Sequence, residues 1–266
     1  MELPVILKRQ KNAIKEAAIT LFLSSPINKP DRFKEIIKDP DLNSFFHSYE
    51  NIGEVTFNFA HVKGNISNKG HVYNDAGFKL LRFVEGKPEF VLQGINDKKR
   101  NYFSFHELNY VRWADFLDSY KKILKTIEKI HTEIFLTGLS LHYIDEFIWC
   151  EETPIDLTRI IEAKDYFPQN FMKSKSGYLV NTREIENAGV NKIFDRIELL
   201  LTSDISKNIV ISHNQNVLFD NLVELKKAEA KEDIIQNFNL LHKNNKNFLG
   251  SILLPEVKKL IGLTEN

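Results

Sequence analysis

The sequence predicts an α+β protein made of two antiparallel meanders, each covered by a long helix and closely joined to the other. Segments of alternating apolar and polar residues, separated by turn residues, predict antiparallel strands in both halves of the chain. Each half also contains one long segment whose apolar residues recur every three or four positions, which predicts a helix. Because an amphipathic helix must bury its apolar stripe, we expect each helix to cover the adjacent meander.

The first half is predicted to begin with a strand and to continue into a meander. Ile14–Leu23 is apolar at most positions and is followed by Ser-Ser-Pro, so it predicts the first strand. A short helix is expected after Asp31, with Pro40 interrupting it and another turn or two beyond. Residues 65–77 are rich in Asn, Ser, Gly and Asp, which predicts a mobile loop. Further strands are predicted at residues 54–62, 78–84, 89–95 and 102–105.

A long helix is predicted for residues 112–130, followed by a strand over residues 134–149 with a bulge at Gly138. The apolar residues of the helix share one face at 3.6 residues per turn, whereas Asp118 and Lys122 lie on the opposite, polar face. We therefore expect the apolar face to pack on the first meander. The residues expected to point inward are Trp113, Phe116, Tyr120, Ile123 and Ile127.

The second half is predicted to repeat this plan after a boundary near residue 150. Residues 150–176 lack a clear period and contain Pro154 and Pro168, so we divide the chain into subdomains at residues 1–150 and 151–266. Strands are predicted at residues 178–186, 192–202 and 208–219, and helices at 231–249 and 256–261. The sequence therefore predicts a second meander with its own long helix.

Composition and charge exclude several classes of protein. Hydrophobic residues make up 42% of the chain and charged residues 27%, as in ordinary globular proteins rather than disordered ones. Lys plus Arg equals Asp plus Glu at 36 each, so no net charge attracts the whole molecule to nucleic acid or an anionic membrane. The single cysteine, Cys150, and the lack of a signal peptide or an apolar span favour a cytoplasmic protein.

No pattern of residues predicts a catalytic centre, a metal site or a cofactor. No two of the 8 histidines lie at the spacing by which one helix supplies two zinc ligands. The glycine-rich phosphate loops and the G-x-S-x-G elbow are also missing from the sequence. A metal-dependent nuclease using Asp75, Glu85 and Lys87 is an alternative, but Glu85 falls in a predicted hairpin turn rather than in a core strand.

A basic segment followed by aromatic residues is the only pattern that points to nucleic acid. The residues are Lys98, Lys99, Arg100 and Tyr102. A sheet that stacks bases on aromatic rings and holds phosphates with lysine has this composition. An ordinary turn beside a core strand has it too, so both interpretations stay open.

The predicted C-terminal helix carries a narrow apolar seam with one polar residue in it. The seam consists of Ile234, Phe238, Leu241, Asn245 and Phe248, at alternating spacings of four and three. A stripe facing the protein core explains most of this pattern. A partner helix could instead use the same seam, with Asn245 setting the register of pairing.

Several short stretches resemble a sporadically distributed bacterial family of about this length to which no activity is assigned. The similar stretches are Ile14-Lys15-Glu16-Ala17-Ala18, Tyr110-x-x-Trp113-x-x-Phe116, Gly138-Leu139, Leu141-His142-Tyr143-Ile144-Asp145, and Leu241-His242 with Phe248. The family has Leu-Arg-Tyr-Ile-Asn where this chain has His142 and Asp145 at the Arg and Asn positions. A role tied to that arginine therefore does not carry over.

The patchy distribution of the family implies genes that move horizontally, among which anti-phage systems and toxin–antitoxin pairs are common. We therefore expect a non-enzymatic interaction or accessory protein of such a locus, acting on a protein partner encoded nearby or on a second copy of itself. The alternative is a metal-dependent nuclease or a nucleic-acid-binding component of the same kind of locus. No membrane contact is expected.

Overall fold

A computed structural model describes most of the chain. The described residues are 3–7, 12–25, 35–36, 38–62, 65–96, 101–130, 133–162, 166–185, 192–203 and 206–263, with the backbone alone for 54–62, 65–75, 130 and 228. The basic residues Lys98, Lys99 and Arg100 lie outside this part of the chain, as does Asp31.

Ten strands account for most of the regular structure in the described residues. They are β1 (Val5–Leu7), β2 (Ile14–Leu23), β3 (Ser48–Val62), β4 (Asn65–Val84), β5 (Lys87–Asn96), β6 (Asn101–Glu107), β7 (Phe135–Trp149), β8 (Gly177–Ile185), β9 (Lys192–Thr202) and β10 (Asn208–Glu224). The predicted bounds of β2 and β9 are confirmed to the residue.

The helices that can be described are two long ones and several short ones. They are α1 (Pro40–Phe45), α2 (Trp113–Ile130), α3 (Gln169–Met172), α4 (Ala228–Ile252) and α5 (Pro255–Leu260), with a 3-10 turn at Leu157–Arg159. Asp39 caps α1, since its carboxylate accepts hydrogen bonds from the backbone N–H groups of Asp41 and Leu42 at 2.9 and 3.0 Å. Pro40 therefore begins this helix, at the position where its missing N–H costs no hydrogen bond.

The strands form one antiparallel sheet in the order β3-β4-β5-β6-β2-β7-β10-β9-β8, with β1 beside β7. The predicted arrangement of two meanders, each covered by its own long helix, is therefore wrong, and the fold is dominated by a single sheet. Both meanders exist, as β3–β6 and β8–β10, but β2 and β7 pair with each other and join them. Hydrophobic periodicity could not show this, because it reports which face of a strand is buried and not which strand lies next to it.

The predicted loop at residues 65–77 is also wrong, because these residues extend β4 and pair with β3. Backbone hydrogen bonds along a two-stranded ribbon do not require apolar side chains, so the polar composition was misleading. The predicted hairpin turn at residues 85–88 is found but is shorter, because Lys87 and Pro88 already belong to β5 and only Glu85 and Gly86, with φ of 51° and 75°, form the turn. Positive φ at both central residues is the geometry of a two-residue turn between antiparallel strands.

Helices α2 and α4 lie side by side on the same face of the sheet. Tyr120 of α2 meets Phe238 of α4 edge to face at 5.5 Å between ring centroids. The predicted faces of α2 are confirmed: its inward side is buried, with Phe116 at 0% exposure, while Lys122 is exposed. Trp113 at the start of α2 is only half-buried.

A second apolar cluster occupies the far end of the covered face, between β7–β10, α5 and the C-terminal part of α4. The main cluster contains residues from before and after residue 150, such as Leu141 and Leu241. The division at residues 1–150 and 151–266 stays a prediction. Within the described residues, no helix has the length and apolar character needed to cross a membrane.

Candidate functional site

The side of the sheet opposite α2 and α4, here called the polar face, carries hydrogen-bonding side chains on its central strands. In β7, Leu139, Leu141 and Tyr143 are buried toward the helices, so Ser140 and His142 between them point the other way. The same alternation applies to the neighbouring strands. The polar face is defined by Gln93 of β5, Ser104 and His106 of β6, Glu16 and Thr20 of β2, Ser140 and His142 of β7, and Ser212, Asn214 and Asn216 of β10.

Two Ser-x-His pairs lie in matching positions on either side of β2. His106 of β6 and His142 of β7 both pair with Ala18, and Ser104 and Ser140 both pair with Thr20. Residues two apart on a strand share a face, so each serine and its histidine point to the same side. The register therefore places the two histidines on either side of Ala18 and the two serines on either side of Thr20.

One of these pairs belongs to a hydrogen-bonded chain that ends on a carboxylate. Nε2 of His106 lies 2.7 Å from the hydroxyl of Ser104, and Nδ1 lies 2.6 Å from Oε1 of Glu16. The hydrogen bond from His106 holds the pKa of Glu16 below its usual value, so this carboxylate is charged at neutral pH. Because a charged carboxylate can only accept, Nδ1 of His106 donates the hydrogen bond to Glu16.

This connectivity is that of a Ser-His-acid triad, but the serine is not placed to attack a substrate. Ser104 is 3% exposed, and its hydroxyl also lies 3.0 Å from that of Thr20. A nucleophile needs room for a carbonyl carbon about 3 Å away, next to free oxyanion donors. The chain of bonds therefore orients His106 on the sheet rather than activating Ser104.

The second pair is bonded on the β10 side. Nε2 of His142 lies 2.7 Å from the hydroxyl of Ser212, and Ser140 donates to Oδ1 of Asn214 at 2.9 Å. Burial lowers the pKa of His142 despite the nearby carboxylates of Glu16 and Glu198, so its ring is neutral at neutral pH. The centre of the polar face is thus a hydrogen-bonded network in which Glu16 is charged and His142 is neutral.

Strand β8 lies at one edge of the sheet and carries an apolar patch, here called the edge patch. It consists of Tyr178 and Val180 of β8 and Leu200 of β9, which are 56%, 41% and 38% exposed. Tyr178 and Leu200 are cross-strand partners, and Val180 is two residues further along the same face. The Tyr178 hydroxyl donates to Glu198 at 2.5 Å, which fixes the ring on the surface.

A pocket of about 600 Å³, here called the end pocket, is formed by residues of β2, β6, β7, β9 and β10 and by Ser24, which follows β2. Its lining mixes aromatic, apolar, amide and hydroxyl groups. The residues are Phe22, Leu23, Ser24, Asn101, Thr137, Phe194, Asn216 and Leu218.

Beneath the helices, a chain of buried polar side chains links the sheet to both long helices. The Tyr143 hydroxyl lies 2.9 Å from Nδ1 of His242, whose ring stacks on Trp113 at 4.6 Å between centroids. Burial lowers the pKa of His242 to about 4, so its ring is neutral at neutral pH. Trp113 in turn donates to Asn239 at 2.8 Å.

A second buried chain involves Asn245, the polar residue of the predicted seam. His213 of β10 lies between Asn245, at 2.7 Å, and the carboxylate of Asp195. Burial raises the pKa of Asp195, but the bonds from His213 and Arg183 outweigh this and hold the pKa below its usual value. Arg183 donates to Asp195 at 2.8 and 2.9 Å. Asn245 therefore has a partner within the chain.

Two further buried carboxyl groups carry raised pKa values. Burial raises the pKa of Asp145 to about 7, and burial with the charges of Glu89 and Asp115 raises that of Glu107 to about 7. One oxygen of each carboxyl group has no hydrogen-bond partner in the described part of the chain. Asp145 and His142, which replace Asn and Arg of the family pattern, lie on opposite faces of the sheet because they are three residues apart.

The predicted partner seam faces the sheet. Its members Ile234, Phe238, Leu241, Asn245 and Phe248 are all at most 6% exposed. The interpretation of the seam as a core stripe agrees with this burial. A partner could reach these residues only after α4 had left the sheet.

The residues of the predicted nucleic-acid site and the nuclease alternative are described only in part. Tyr102 lies on the polar face as the cross-strand partner of Phe22, which lines the end pocket. Glu85 lies in the β4–β5 turn, and the side chain of Asp75 is outside the described residues. Among the side chains that are described, no three acidic, His or Cys residues are grouped so that they could hold a metal ion.

The polar face was not predicted from the sequence, although one signal pointed to it. Ser104-Phe105-His106 and Ser140-Leu141-His142 repeat the same spacing, the first at the end of the predicted strand 102–105 and the second within the predicted strand 134–149, and residues two apart on a strand share a face. No comparable signal marks Glu16, because its contact with His106 depends on which strand lies next to β2.

Comparison with family models, curated proteins and solved structures finds no match to this chain.

Proposed function

We propose that this chain is a non-enzymatic interaction or accessory protein of a bacterial mobile locus, of the anti-phage or toxin–antitoxin kind, and that a partner protein binds along β8. The kind of locus rests on the family resemblance. The binding surface rests on one observation, the edge patch of Tyr178, Val180 and Leu200 beside an edge strand.

An exposed strand edge is a template for another strand, and proteins commonly block it with lysine, proline or a bulge. Strand β8 is nine residues long, contains no Lys or Pro, and pairs with β9 without a register shift. Its one arginine, Arg183, is occupied by Asp195. The edge is therefore regular. Because the patch side chains are 38 to 56% exposed, completing their burial would contribute about half of the roughly 1.5 to 3 kcal/mol that a fully exposed apolar side chain contributes.

The charges around β8 indicate which strand would pair with it. Lys173 and Lys175 precede β8, and Glu184 lies near its end. An antiparallel partner strand should therefore carry basic residues opposite Glu184 and acidic residues opposite the two lysines. Apolar residues at alternate positions would contact Tyr178 and Val180, as in other cases of strand addition.

The test is to co-express the chain with the products of its neighbouring genes and to measure complex formation by size-exclusion chromatography with light scattering. Val180→Lys places a charge in the edge patch and should weaken the complex by at least about tenfold, or about 1.4 kcal/mol. The matched control is Leu222→Lys, since Leu222 is 60% exposed and lies outside β8.

A stable complex that Val180→Lys disrupts and Leu222→Lys preserves supports the proposal. A chain that stays monomeric with every neighbouring gene product, or a complex that is indifferent to Val180→Lys, contradicts it. A homo-oligomer sensitive to Val180→Lys identifies the partner as a second copy.

A further inference from the structure

We propose that the groove between the end of β10 and the first half of α4, here called the flank groove, binds a basic amphipathic helix of a partner protein. The residues that define it are Phe219, Asp220 and Val223 of β10 and Asp233, Ile234 and Leu240 of α4. The flank groove shares no residue with the edge patch and does not include Leu222. The inference therefore goes beyond the proposed binding along β8 and does not depend on it.

The flank groove arises from two features of β10. Strand β9 begins at Lys192, opposite Leu218, whereas β10 continues to Glu224, so within the described residues this end of β10 has no neighbour on the β9 side. Beyond Leu218, β10 advances five residues while β7 advances two, from Gly138 to Leu136. Such a bulge bends the strand. A space of about 600 Å³ separates this end of β10 from α4.

The other wall is the flank of α4 that faces away from α2. Its lining residues are three or four positions apart, so they lie in line along one side of the helix. They are Ala230, Asp233, Asn237 and Leu240. At 1.5 Å per residue this line is about 15 Å long. On the opposite flank, Lys231 and Asn239 bond to Glu128 and Trp113 of α2 at 2.7 and 2.8 Å. The flank groove is therefore the position beside α4 that corresponds to the one α2 occupies on its other side.

The floor of the flank groove is apolar and continuous with the protein core. Ile234 belongs to the main apolar cluster, and Phe219 and Val223 pack against that cluster. At the outer rim, Leu240 is 38% exposed. A helix seated in the groove would remove this apolar surface from water, which is the driving force when an amphipathic helix binds in a groove.

The charges of the flank groove select the sign of the partner. Both charged residues of the lining, Asp220 and Asp233, are acidic and exposed, and within the described residues neither side chain is in an ion pair. The nearby Lys231 is paired with Glu128 instead. The dipole of α4 does not account for these two acids, since Asp233 lies in its second turn and Asp220 lies on β10.

Length and charge together define the occupant. Ten residues of α-helix span the 15 Å of the groove at about 1.5 Å per residue. Apolar residues at positions i, i+3, i+4 and i+7 would contact the floor, and Lys or Arg beside them would face Asp220 and Asp233. The same acidic groups repel an acidic helix and the phosphates of nucleic acid.

The test is fluorescence anisotropy of a labelled synthetic peptide of about twelve residues, with Leu at i, i+3, i+4 and i+7 and Lys elsewhere, titrated with the full chain. The same peptide with Glu in place of Lys is the charge control. Leu240→Lys should weaken binding of the basic peptide by at least about tenfold, because it places a like charge at the apolar rim. Leu200→Lys, at an equally exposed position on β9, is the matched control, and circular dichroism checks the folding of each variant.

The acidic groups are tested together. Asp220→Asn combined with Asp233→Asn should weaken binding by about fivefold or more. Asp118→Asn combined with Glu256→Gln, which removes two exposed charges elsewhere, should leave the affinity within about twofold of wild type.

Saturable binding of the basic peptide that both groove variants weaken and both controls preserve supports the flank groove. Absence of saturable binding up to about 1 mM, equal binding of the acidic peptide, or equal losses in groove and control variants overturns it. Displacement of the peptide by spermidine together with indifference to Leu240→Lys identifies a polyamine site, which also overturns the helix. Val180→Lys should leave peptide binding unchanged, so a failure here is distinguishable from a failure of the proposed binding along β8.

Discussion

Asp145 should make the protein less stable as the pH rises through the neutral range. This residue is 1% exposed on β7, and burial raises the pKa of its carboxyl group to about 7. One of its carboxyl oxygens has no hydrogen-bond partner in the described part of the chain. An ionised Asp145 would therefore be a buried charge with incomplete compensation, and the folded protein keeps the proton instead.

The sign and size of the effect follow from proton linkage. The carboxyl group of an unfolded chain has a pKa of about 3.9, so between about pH 4 and pH 7 the folded state holds a proton that the unfolded state has released. The contribution of Asp145 to the free energy of unfolding then falls as the pH rises, by about 1.4 kcal/mol for each pH unit. Over about three pH units the loss approaches 4 kcal/mol, a large part of the roughly 5 to 15 kcal/mol that stabilises a domain.

Asp145→Asn removes this titration while keeping the shape of the side chain. Urea denaturation at several pH values should show the variant more stable than wild type above about pH 8, by up to about 4 kcal/mol, and close to wild type near pH 4. Glu107, with a pKa raised to about 7, and His242, with a pKa lowered to about 4, stay in the variant and contribute slopes of opposite sign, so the comparison is the difference between variant and wild type at each pH. Asp118→Asn is the matched control, because Asp118 is exposed on α2.

The wild-type slope by itself is not the test, because His242, whose pKa is lowered to about 4, contributes with the opposite sign. The result that would refute this reasoning is a difference in stability between Asp145→Asn and wild type that does not grow between about pH 4 and pH 8. If Asp118→Asn changed the slope as much as Asp145→Asn did, burial would not be the cause.

Two further changes test the packing of the sheet, each by urea denaturation with circular dichroism. Phe116→Ala should lower the free energy of unfolding by about 3 to 5 kcal/mol, because this buried ring stacks on Phe105 at 5.6 Å between ring centroids. Lys122→Ala should change it by no more than about 0.5 kcal/mol. Equal stabilities of the two variants would place the aromatic face of α2 outside the core. Gly138→Ala should lower the free energy of unfolding by about 1 to 3 kcal/mol, because the new Cβ would collide with the backbone oxygen of Val217. An unchanged stability would show that β7 and β10 are not in this close contact.

Local patterns in the sequence predicted most of the individual elements. The bounds of β2 and the start and end of α2 were predicted to within a residue, since their apolar residues recur with the period of a strand and of a helix. The bulge at Gly138 is also confirmed, because the pairing of β7 with β2 and β10 shifts register beside it. Where composition alone carried the prediction, as for residues 65–77, it was wrong.

Of the candidate site, only the two Ser-x-His pairs could be predicted from the sequence. The Ser-x-His pairs place their own two side chains on one face, because alternation along a strand is a property of the backbone. Glu16 and His106 are 90 residues apart, and the 2.6 Å contact between them exists because β2 pairs with β6. The end pocket likewise needs Phe22, Gly138 and Leu218 in one row across β2, β7 and β10.

By itself, the sequence determined which segments become strands and helices and which of their residues are buried, since these depend on neighbours a few positions away. Only the tertiary structure decided that β2 and β7 join two meanders into one sheet and that both long helices share one of its faces. The physical reason is that strand order is chosen by the packing and backbone hydrogen bonding of the whole sheet at once. Backbone hydrogen bonds are the same for any pair of strands, so the sequence of one strand does not specify which strand pairs with it.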